Sequence, residues 1–402
     1  MEIRPILSAM WRNKTGAVLI AMQIAFTLAV VANSVFIIYQ RWEKVNRPHG
    51  MDIENIIHVS NMVPSRDINI RQAMEADLRA LRNIPGVIDA TPSANVPLSG
   101  SGWGSGLYRN PDDDSTRASA AMFSVDDHAV NTFGINLIAG RDFNPDDVRW
   151  QIRRDNTSAP NIIISQAMAD ELFPDGNALN QTIYDDDGSA LTIIGIMERM
   201  HGSWVSWDKL ENTWLNPLVR AASNSTHYLI RVEPGLADQM MPVIEETLRE
   251  VNPRRVLPLM RTMAEGAANS YRIDRTMIWV LLTVVGLLIV ITAVGIIGLA
   301  AFSVSQRTRQ IGTRRALGAR RNQIMRYFLV ENWLITSIGL ALGMLLATGF
   351  NYWLVTSFEL ERMDWYYVPG GMALLWLLGL AAVFGPARRA SQVSPAIATR
   401  TV

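Results

Sequence analysis

Four stretches of this chain are apolar almost throughout and carry no charge: residues 15–40, 277–305, 332–358 and 365–387. A helix needs about 20 apolar residues to cross the hydrocarbon core of a bilayer. Three of the runs exceed that length. The fourth is interrupted by Pro369, Gly370 and Gly371, which leave an unbroken core from Met372 to Phe384. Such breakers are tolerated in membrane helices whose neighbours satisfy the backbone. The pattern predicts four membrane helices, at 15–40, 277–305, 328–357 and 368–385, with a short outer loop at 358–367. The first reads as a retained anchor. Its apolar part is longer than a signal-peptide core, and bulky Ile37, Ile38 and Tyr39 stand where small cleavage residues would.

Between residues 41 and 276 the pattern changes to short alternating and amphipathic runs. An apolar strand (Ile56 to Ser60) precedes a helix with Ile70, Met74, Leu78 and Leu81 at helical spacing. A strand at Val87 to Thr91 follows the Pro85-Gly86 turn. The order returns later, as a strand at Tyr228 to Val232, a turn at Pro234-Gly235, a helix from Leu236 to Val251 and a strand from Arg255 to Met260. Two strand-helix-strand halves, about 50–98 and 218–261, predict a small sheet with its helices on one face. Between them, about 99–217, lies a strand-rich insert that opens on a flexible loop, Ser-Gly-Ser-Gly-Trp-Gly-Ser-Gly. Its strands include Ala120 to Val125, Asn161 to Ile164 and Leu191 to Ile196, with a hairpin turn at Asp185-Asp186-Asp187-Gly188. Short helices are expected from Asp126 and Ser165. Residues 262–276 read as a helical stalk leading into the second span, and residues 39–45 as an outward extension of the first. The fold class is an α-helical membrane protein with four spans plus a large α+β extracytoplasmic domain.

Charge orients these parts. Seven arginines and no acidic residue lie between Arg307 and Arg326. Arg4, Arg12 and Lys14 precede the first span, opposed only by Glu2, and Arg388, Arg389 and Arg400 follow the last. Positive loops stay in the cytoplasm, so residues 1–14, 306–327 and 386–402 are expected there. The segment 41–276, with 32 acidic and 23 basic residues, is then outside. Trp279, Trp333, Trp365, Tyr366 and Tyr367 lie near span ends, as interfacial aromatics do. There are no cysteines, which excludes disulfides and thiolate metal sites.

Catalytic chemistry is not legible. The five histidines (His49, His58, His128, His201, His227) are scattered and form no H-E-x-x-H, and Asp112–Asp114 and Asp185–Asp187 lack calcium-loop spacing. No metal site and no cofactor is expected in this chain. The only lysines, Lys14, Lys44 and Lys209, do not follow glycine, so these residues hold no P-loop, and ATP-driven work requires a second polypeptide. The apolar runs contain no charge, which argues against an ion-coupled transporter. Gln23, Asn33 and Asn351 read as interhelical hydrogen-bonding groups, and Gly286, Gly295, Gly298, Gly339 and Gly343 as points of close helix approach.

The segment Gln306-Arg307-Thr308-Arg309-Gln310-Ile311-Gly312-Thr313-Arg314-Arg315-Ala316-Leu317-Gly318-Ala319 resembles the signature of FtsX-like permeases of MacB-type ABC systems, roughly E-R-T-R-E-I-G-x-R-R-A-L-G-A. Gln306 and Gln310 stand where the family has glutamates. The tail Pro386-Ala387-Arg388-Arg389-Ala390, with Ser394-Pro395-Ala396, is similar to the family's ending. Phe123-Ser124-Val125, Phe133-Gly134-Ile135, Gly140-Arg141-Asp142-Phe143, Leu172-Phe173-Pro174 and Ile194-Gly195-Ile196 resemble its periplasmic core.

The resemblance implies a "porter" part with an inserted "sabre" part, in the inner membrane of a bacterium. It also implies a permease subunit of an ABC-type efflux system, driven mechanically by a separate ATPase that holds the ATP and magnesium, and exporting a drug, peptide or lipid-like substrate. Arg307, Arg309, Gln310, Ile311, Gly312, Arg314, Arg315, Ala316, Leu317 and Gly318 are the expected ATPase-coupling residues, with Ile311, Ala316 and Leu317 docking in a groove and the arginines meeting lipid phosphates or acidic rims. A second permease, identical or homologous, is the implied partner, with membrane lipids and, in a Gram-negative cell, a periplasmic adaptor and outer-membrane duct. Nucleic acid is not. Lipoprotein release and mechanical signalling without transport are the competing functions.

Overall fold

The structure, a computed structural model, describes residues 14–64, 69–152, 157–221, 225–358 and 361–394. Glu2, Arg4, Arg12, Pro395, Ala396 and Arg400 lie outside the described residues. The chain divides into two compact units, one of residues 1–46 and 273–402, the other of residues 47–272. The first described element is α1 (Lys14–Val45), which contains the first apolar run and continues through Tyr39 to Val45.

In the outer unit, β1 (Ile56–Met62), α2 (Ile70–Arg82) and β2 (Val87–Ser93) form the first half. The insert supplies β3 (Trp103–Tyr108), β4 (Arg117–Ser124), α3 (Ala129–Phe133), β5 (Leu137–Gly140), β6 (Arg149–Gln151), β7 (Asn161–Ser165), α4 (Gln166–Leu172), β8 (Thr182–Asp185), β9 (Ala190–Met197), β10 (Thr213–Asn216) and β11 (Leu218–Arg220). The second half is β12 (Ser225–Val232), α5 (Ala237–Val251) and β13 (Val256–Thr262), followed by α6 (Met263–Ser270).

The two halves interleave in one antiparallel sheet of order β13-β1-β12-β2. Residues alternate across a strand, so one face of this sheet presents Ile57, Val59, Ala90, Tyr228, Ile230 and Val232. These pack with Leu78 and Leu81 of α2 and Ile244 and Leu248 of α5. The other face presents Ile56 and Leu229 to a cluster shared with the insert residues Phe123, Phe133, Ile163 and Leu215.

The insert is a seven-stranded sheet, β5-β9-β7-β10-β4-β3-β8, and β8 pairs with β9 as well. That last pairing closes six strands into a ring, filled by Leu107, Ala118, Ala120, Ile162, Ile183 and Ile193 among others. Closure removes exposed edges. Two sequence expectations change here. The Gly-Ser run is not wholly loop, because Trp103–Tyr108 forms β3 and pairs with β4. Its glycines serve close approach: a Cβ on Gly104 would lie 3.5 Å from the Trp204 ring, and one on Gly106 2.3 Å from the Arg117 Nε. The insert also runs past Pro217, because β11 pairs in parallel with β6 and not with the four-stranded sheet.

The expected stalk helix is two helices. Thr262 and Glu265 form a reciprocal cap that starts α6, and α7 (Arg272–Gln306) begins after Tyr271. Tyr271 is buried, and the Ser270 hydroxyl donates to the Leu98 carbonyl at 2.5 Å. The chain is tied down at this point.

The membrane unit contains α1, α7, α8 (Thr308–Ala316), α9 (Arg321–Phe358) and α10 (Tyr367–Ser391). Four of these helices are long and apolar enough to span a bilayer. The fourth is longer than its apolar core. Pro369 falls in the first turn, where backbone N–H groups have no intrahelical partner, and the helix passes through Pro386 to Ser391. Gly339 and Gly343 lie against α1, where a Cβ on either would come 2.8–3.0 Å from the Ala21 or Ala25 backbone. The in-span polar groups bridge helices. Asn33 donates to the Ala347 carbonyl at 3.2 Å, Asn351 donates to Asn33 at 3.2 Å, and Gln23 donates to the Ile291 carbonyl at 3.1 Å. Thr27 and Thr292 share a hydrogen bond of 2.8 Å.

Candidate functional site

The arginine-rich segment folds as a short helix between two spans. α8 begins directly after Arg307, whose side chain makes no capping hydrogen bond, and ends before Leu317. The end is a Schellman arrangement: the Ala319 N–H donates to the Arg314 carbonyl at 3.0 Å and the Gly318 N–H to the Arg315 carbonyl at 3.1 Å. This turn needs a left-handed residue, and Gly318 supplies it at φ 95°. The Gly-Ala pair of the motif thus reverses the chain tightly, and α9 starts at Arg321.

Three contacts hold α8 on the bundle. Ile311 is buried in the same apolar cluster as Ile324, Phe328 and Ala387, beside buried Gly312. One terminal nitrogen of Arg307 donates to both carboxylate oxygens of Glu331, at 3.0 and 2.9 Å. The Arg314 guanidinium lies 5.3 Å from the Tyr327 ring centroid, a cation–π contact. Arg315 is half-buried and donates to the Ala319 carbonyl at 3.1 Å.

The ten expected coupling residues therefore separate by role. Ile311 and Gly312 face the bundle and are not available to a partner, which corrects the expectation that Ile311 docks. The helical period explains it, since a residue that anchors the helix cannot also point away from it. Arg307 is engaged by Glu331. Arg309, Gln310, Arg314, Ala316, Leu317 and Gly318 are exposed. Leu317 is 83% exposed at the tip of the turn.

Glu331 corrects a second expectation, that the spans hold no charge. It sits in the third turn of α9 and is buried, with an 8% exposed residue surface. The signal was present in the sequence: Glu331 is the only acidic residue from 275 to 358.

The outer unit also brings distant groups together. The histidines are not all isolated. His58 and His227 approach at 3.0 Å between ring nitrogens, and His49 and His201 at 3.3 Å. Burial drives His58 and His201 each down to about 3, helped by the neighbouring imidazole and nearby arginines. His128 goes the other way, raised mainly by its 2.8 Å hydrogen bond with Asp89. Asp113 caps its own turn, and Asp185 accepts from the N–H groups of Asp187 and Ser189 at 3.0 and 2.8 Å. Among the described residues no three His, Asp or Glu side chains converge as a metal site.

The chain is similar to known proteins along most of its length. Residues 20–245, more than half of the chain, match the MacB-like periplasmic core domain, and residues 282–395 match the FtsX-like permease C-terminal region. An uncharacterized ABC transporter permease, YknZ, of Bacillus subtilis is 25% identical over 81% of this chain and 78% of its own length. The macrolide export ATP-binding/permease protein MacB of Neisseria gonorrhoeae is 27% identical over 75% of this chain. There the match spans 45% of the relative, so the chain accounts for about half of that protein. Among solved structures, the periplasmic region of MacB from Actinobacillus actinomycetemcomitans aligns with a TM-score of 0.35 at 14% identity, covering 54% of this chain and 92% of that one. The extracellular domain of YknZ aligns with a TM-score of 0.33 at 13% identity, over 50% of this chain and all of that one.

Proposed function

The chain belongs to the FtsX-like permeases that carry a MacB-like periplasmic core domain, and on that premise we propose that it is the permease subunit of an ABC efflux system of a bacterial inner membrane. A separate ABC ATPase on the cytoplasmic face supplies the nucleotide hydrolysis. The tip of α8 is the docking point. Motion passed through the spans to the outer domain drives export of a drug, peptide or lipid-like substrate. A second permease completes the subunit pair, and an adaptor and outer-membrane duct extend the path in a Gram-negative cell.

The observation that carries this reading is the combination at α8. A large apolar side chain, Leu317, is left exposed on a turn that is otherwise firmly held. Burying a leucine on a partner is worth about 1.5–3 kcal/mol, and the Arg307–Glu331 and Ile311 anchors transmit a push on the tip to α9 and the apolar cluster. Exposed Arg309 and Arg314 add charge for an acidic rim.

The test is co-purification with the cognate ATPase and measurement of its hydrolysis rate. Leu317→Asp should abolish both association and stimulation, while Leu377→Ala, on an exposed position of α10, should leave both intact. Wild-type assembly and stimulation in Leu317→Asp and in an Arg309→Glu/Arg314→Glu variant would remove α8 from the coupling path.

A further inference from the structure

Beside the Arg307–Glu331 pair, a cleft of about 230 Å³ opens among α1, α7, α9 and α10. Its walls are apolar, with Ile20, Leu299, Phe328 and Val383 inside. Leu19 and Phe302, which also line it, are 55% and 57% exposed. One end is polar, formed by Arg307, Glu331, Ser303 and Asn332. The cleft is thus an amphipathic groove in a membrane bundle, apolar along its length and charged at one end.

Its chemistry selects an occupant. The exposed rim residues belong to apolar spans, so the mouth faces hydrocarbon, where the abundant apolar chains are lipid tails. The polar end sits at the arginine segment. Among the described residues Glu331 is the only acid lining the cleft, against seven arginines from Arg307 to Arg326, so the local field favours a negative headgroup over a zwitterionic one. A guanidinium carries five N–H donors; one nitrogen of Arg307 serves Glu331, and the guanidinium also bonds the Tyr327 hydroxyl, which leaves donors over. Phosphate and Glu331 can therefore share or compete for Arg307.

We propose that this cleft binds one anionic phospholipid of the leaflet that the arginine segment faces, its acyl chain along the apolar walls and its phosphate at Arg307. Because α8 begins directly after Arg307, the lipid bears on the position of that helix. The inference rests on the membrane placement of the bundle and not on nucleotide coupling, so it can fail while the coupling reading stands, and the reverse.

The test uses the full-length chain in mild detergent, titrated with phosphatidylglycerol or phosphatidylcholine of identical acyl chains. Native mass spectrometry reads the bound lipid, and the melting temperature is followed in parallel. The wild type should retain one phosphatidylglycerol at least tenfold better than phosphatidylcholine, with a raised melting temperature. Inorganic phosphate at the same concentration should change neither. Gly16→Leu fills the cleft, since a Cβ at Gly16 meets only the Leu299 Cδ2, at 3.9 Å, and it should abolish retention of both lipids. Ala300→Leu, in the same wall, serves where Gly16→Leu does not fold. Arg307→Gln/Glu331→Gln should keep a lipid but lose the preference for phosphatidylglycerol. Leu377→Trp, on the exposed side of α10, should behave as wild type. Equal retention of the two lipids by the wild type, or undiminished retention with the cleft filled, would overturn the proposal.

Discussion

Two arginine–carboxylate pairs, one in each unit, are built in opposite ways. In the outer domain Asp77 accepts from two nitrogens of Arg255 at 2.6 and 3.0 Å and from the Tyr228 hydroxyl at 2.9 Å. Arg255 also donates to Asn61 at 3.2 Å. Both charged side chains are at most 2% exposed. The Tyr228 phenol is pushed well up by burial and by Asp77, so it stays a donor. In the membrane unit Glu331 receives one nitrogen of Arg307, and the pair lines an open cleft with side chains 17% and 10% exposed. A buried charge that is fully hydrogen-bonded resists change, because breaking it strands the partner in low dielectric. A pair at a cleft can be hydrated or met by a ligand. The first is a lock of the four-stranded sheet, and the second is a joint.

The largest effect expected from this contrast is at the lock. Asp77→Ala leaves Arg255 buried and unpaired, and should destabilise the full-length chain by about 3–5 kcal/mol in denaturant unfolding of the outer domain. A loss below about 1 kcal/mol would place Asp77 on a par with a surface pair and erase the distinction.

Acid gives the next effect, and it falls on the outer domain alone. His58 and His201 are held near 3 in the folded state against about 6.5 unfolded. Their folded pKa lies below the unfolded one, so the unfolded chain takes up protons that the folded chain refuses. Stability is therefore complete above about 6.5 and is lost as pH falls from there toward 3. The two together should cost about 2 kcal/mol between pH 7 and 5.5. His128, raised by Asp89, works in the opposite sense: its contribution is full below its unfolded value and fades as pH rises through the folded one. His128→Gln should steepen the acid loss, as read in unfolding curves at pH 7, 6 and 5.5. Curves that superimpose across this range would show that the histidine pairs are not held neutral.

A smaller effect is expected at the joint. Glu331→Gln weakens the charge-assisted hydrogen bonds and should cost about 1–2 kcal/mol, less than the lock because the neutral amide can still accept from Arg307. The double change Arg307→Gln/Glu331→Gln should recover part of that loss in melting of the detergent-solubilised chain. A Glu331→Gln penalty equal to that of Asp77→Ala would make the two pairs equivalent. Smallest of all, Leu317→Ser should shift stability by no more than about 0.5 kcal/mol, since the side chain touches little. A large drop in melting temperature would mean that Leu317 is a packing residue after all.

Much of this architecture could be read from periodicity. The apolar runs mark the spans because a bilayer demands length, and the two strand-helix-strand halves are visible because α2 and α5 each bury one stripe. The Asp185–Gly188 turn was equally plain, since Gly188 takes up the left-handed backbone, at φ 75°, that such a turn requires. The closure of the insert was not, because β8 and β9 become the seam of a ring only through pairings made elsewhere, and no local pattern encodes which edge meets which. The histidine pairs join positions 169 and 152 residues apart, beyond any spacing rule. At the α8 segment the motif was legible while the roles within it were not. Charge and apolarity singled out the residues, but only the folded helix separates Ile311, turned inward, from Leu317, turned out. Glu331 directly precedes the uncharged run 332–358, so the apolar pattern alone does not mark it as part of the span.

The four-stranded sheet has a further consequence. β1 and β13 are antiparallel neighbours, with Ile57 opposite Thr262, although roughly 200 residues of chain separate them. The outer domain's sheet thus begins and finishes on neighbouring strands. A body attached this way can be exchanged wholesale between scaffolds without rerouting the polypeptide, so diversification of this extracytoplasmic head can proceed while the part embedded in lipid stays as it is.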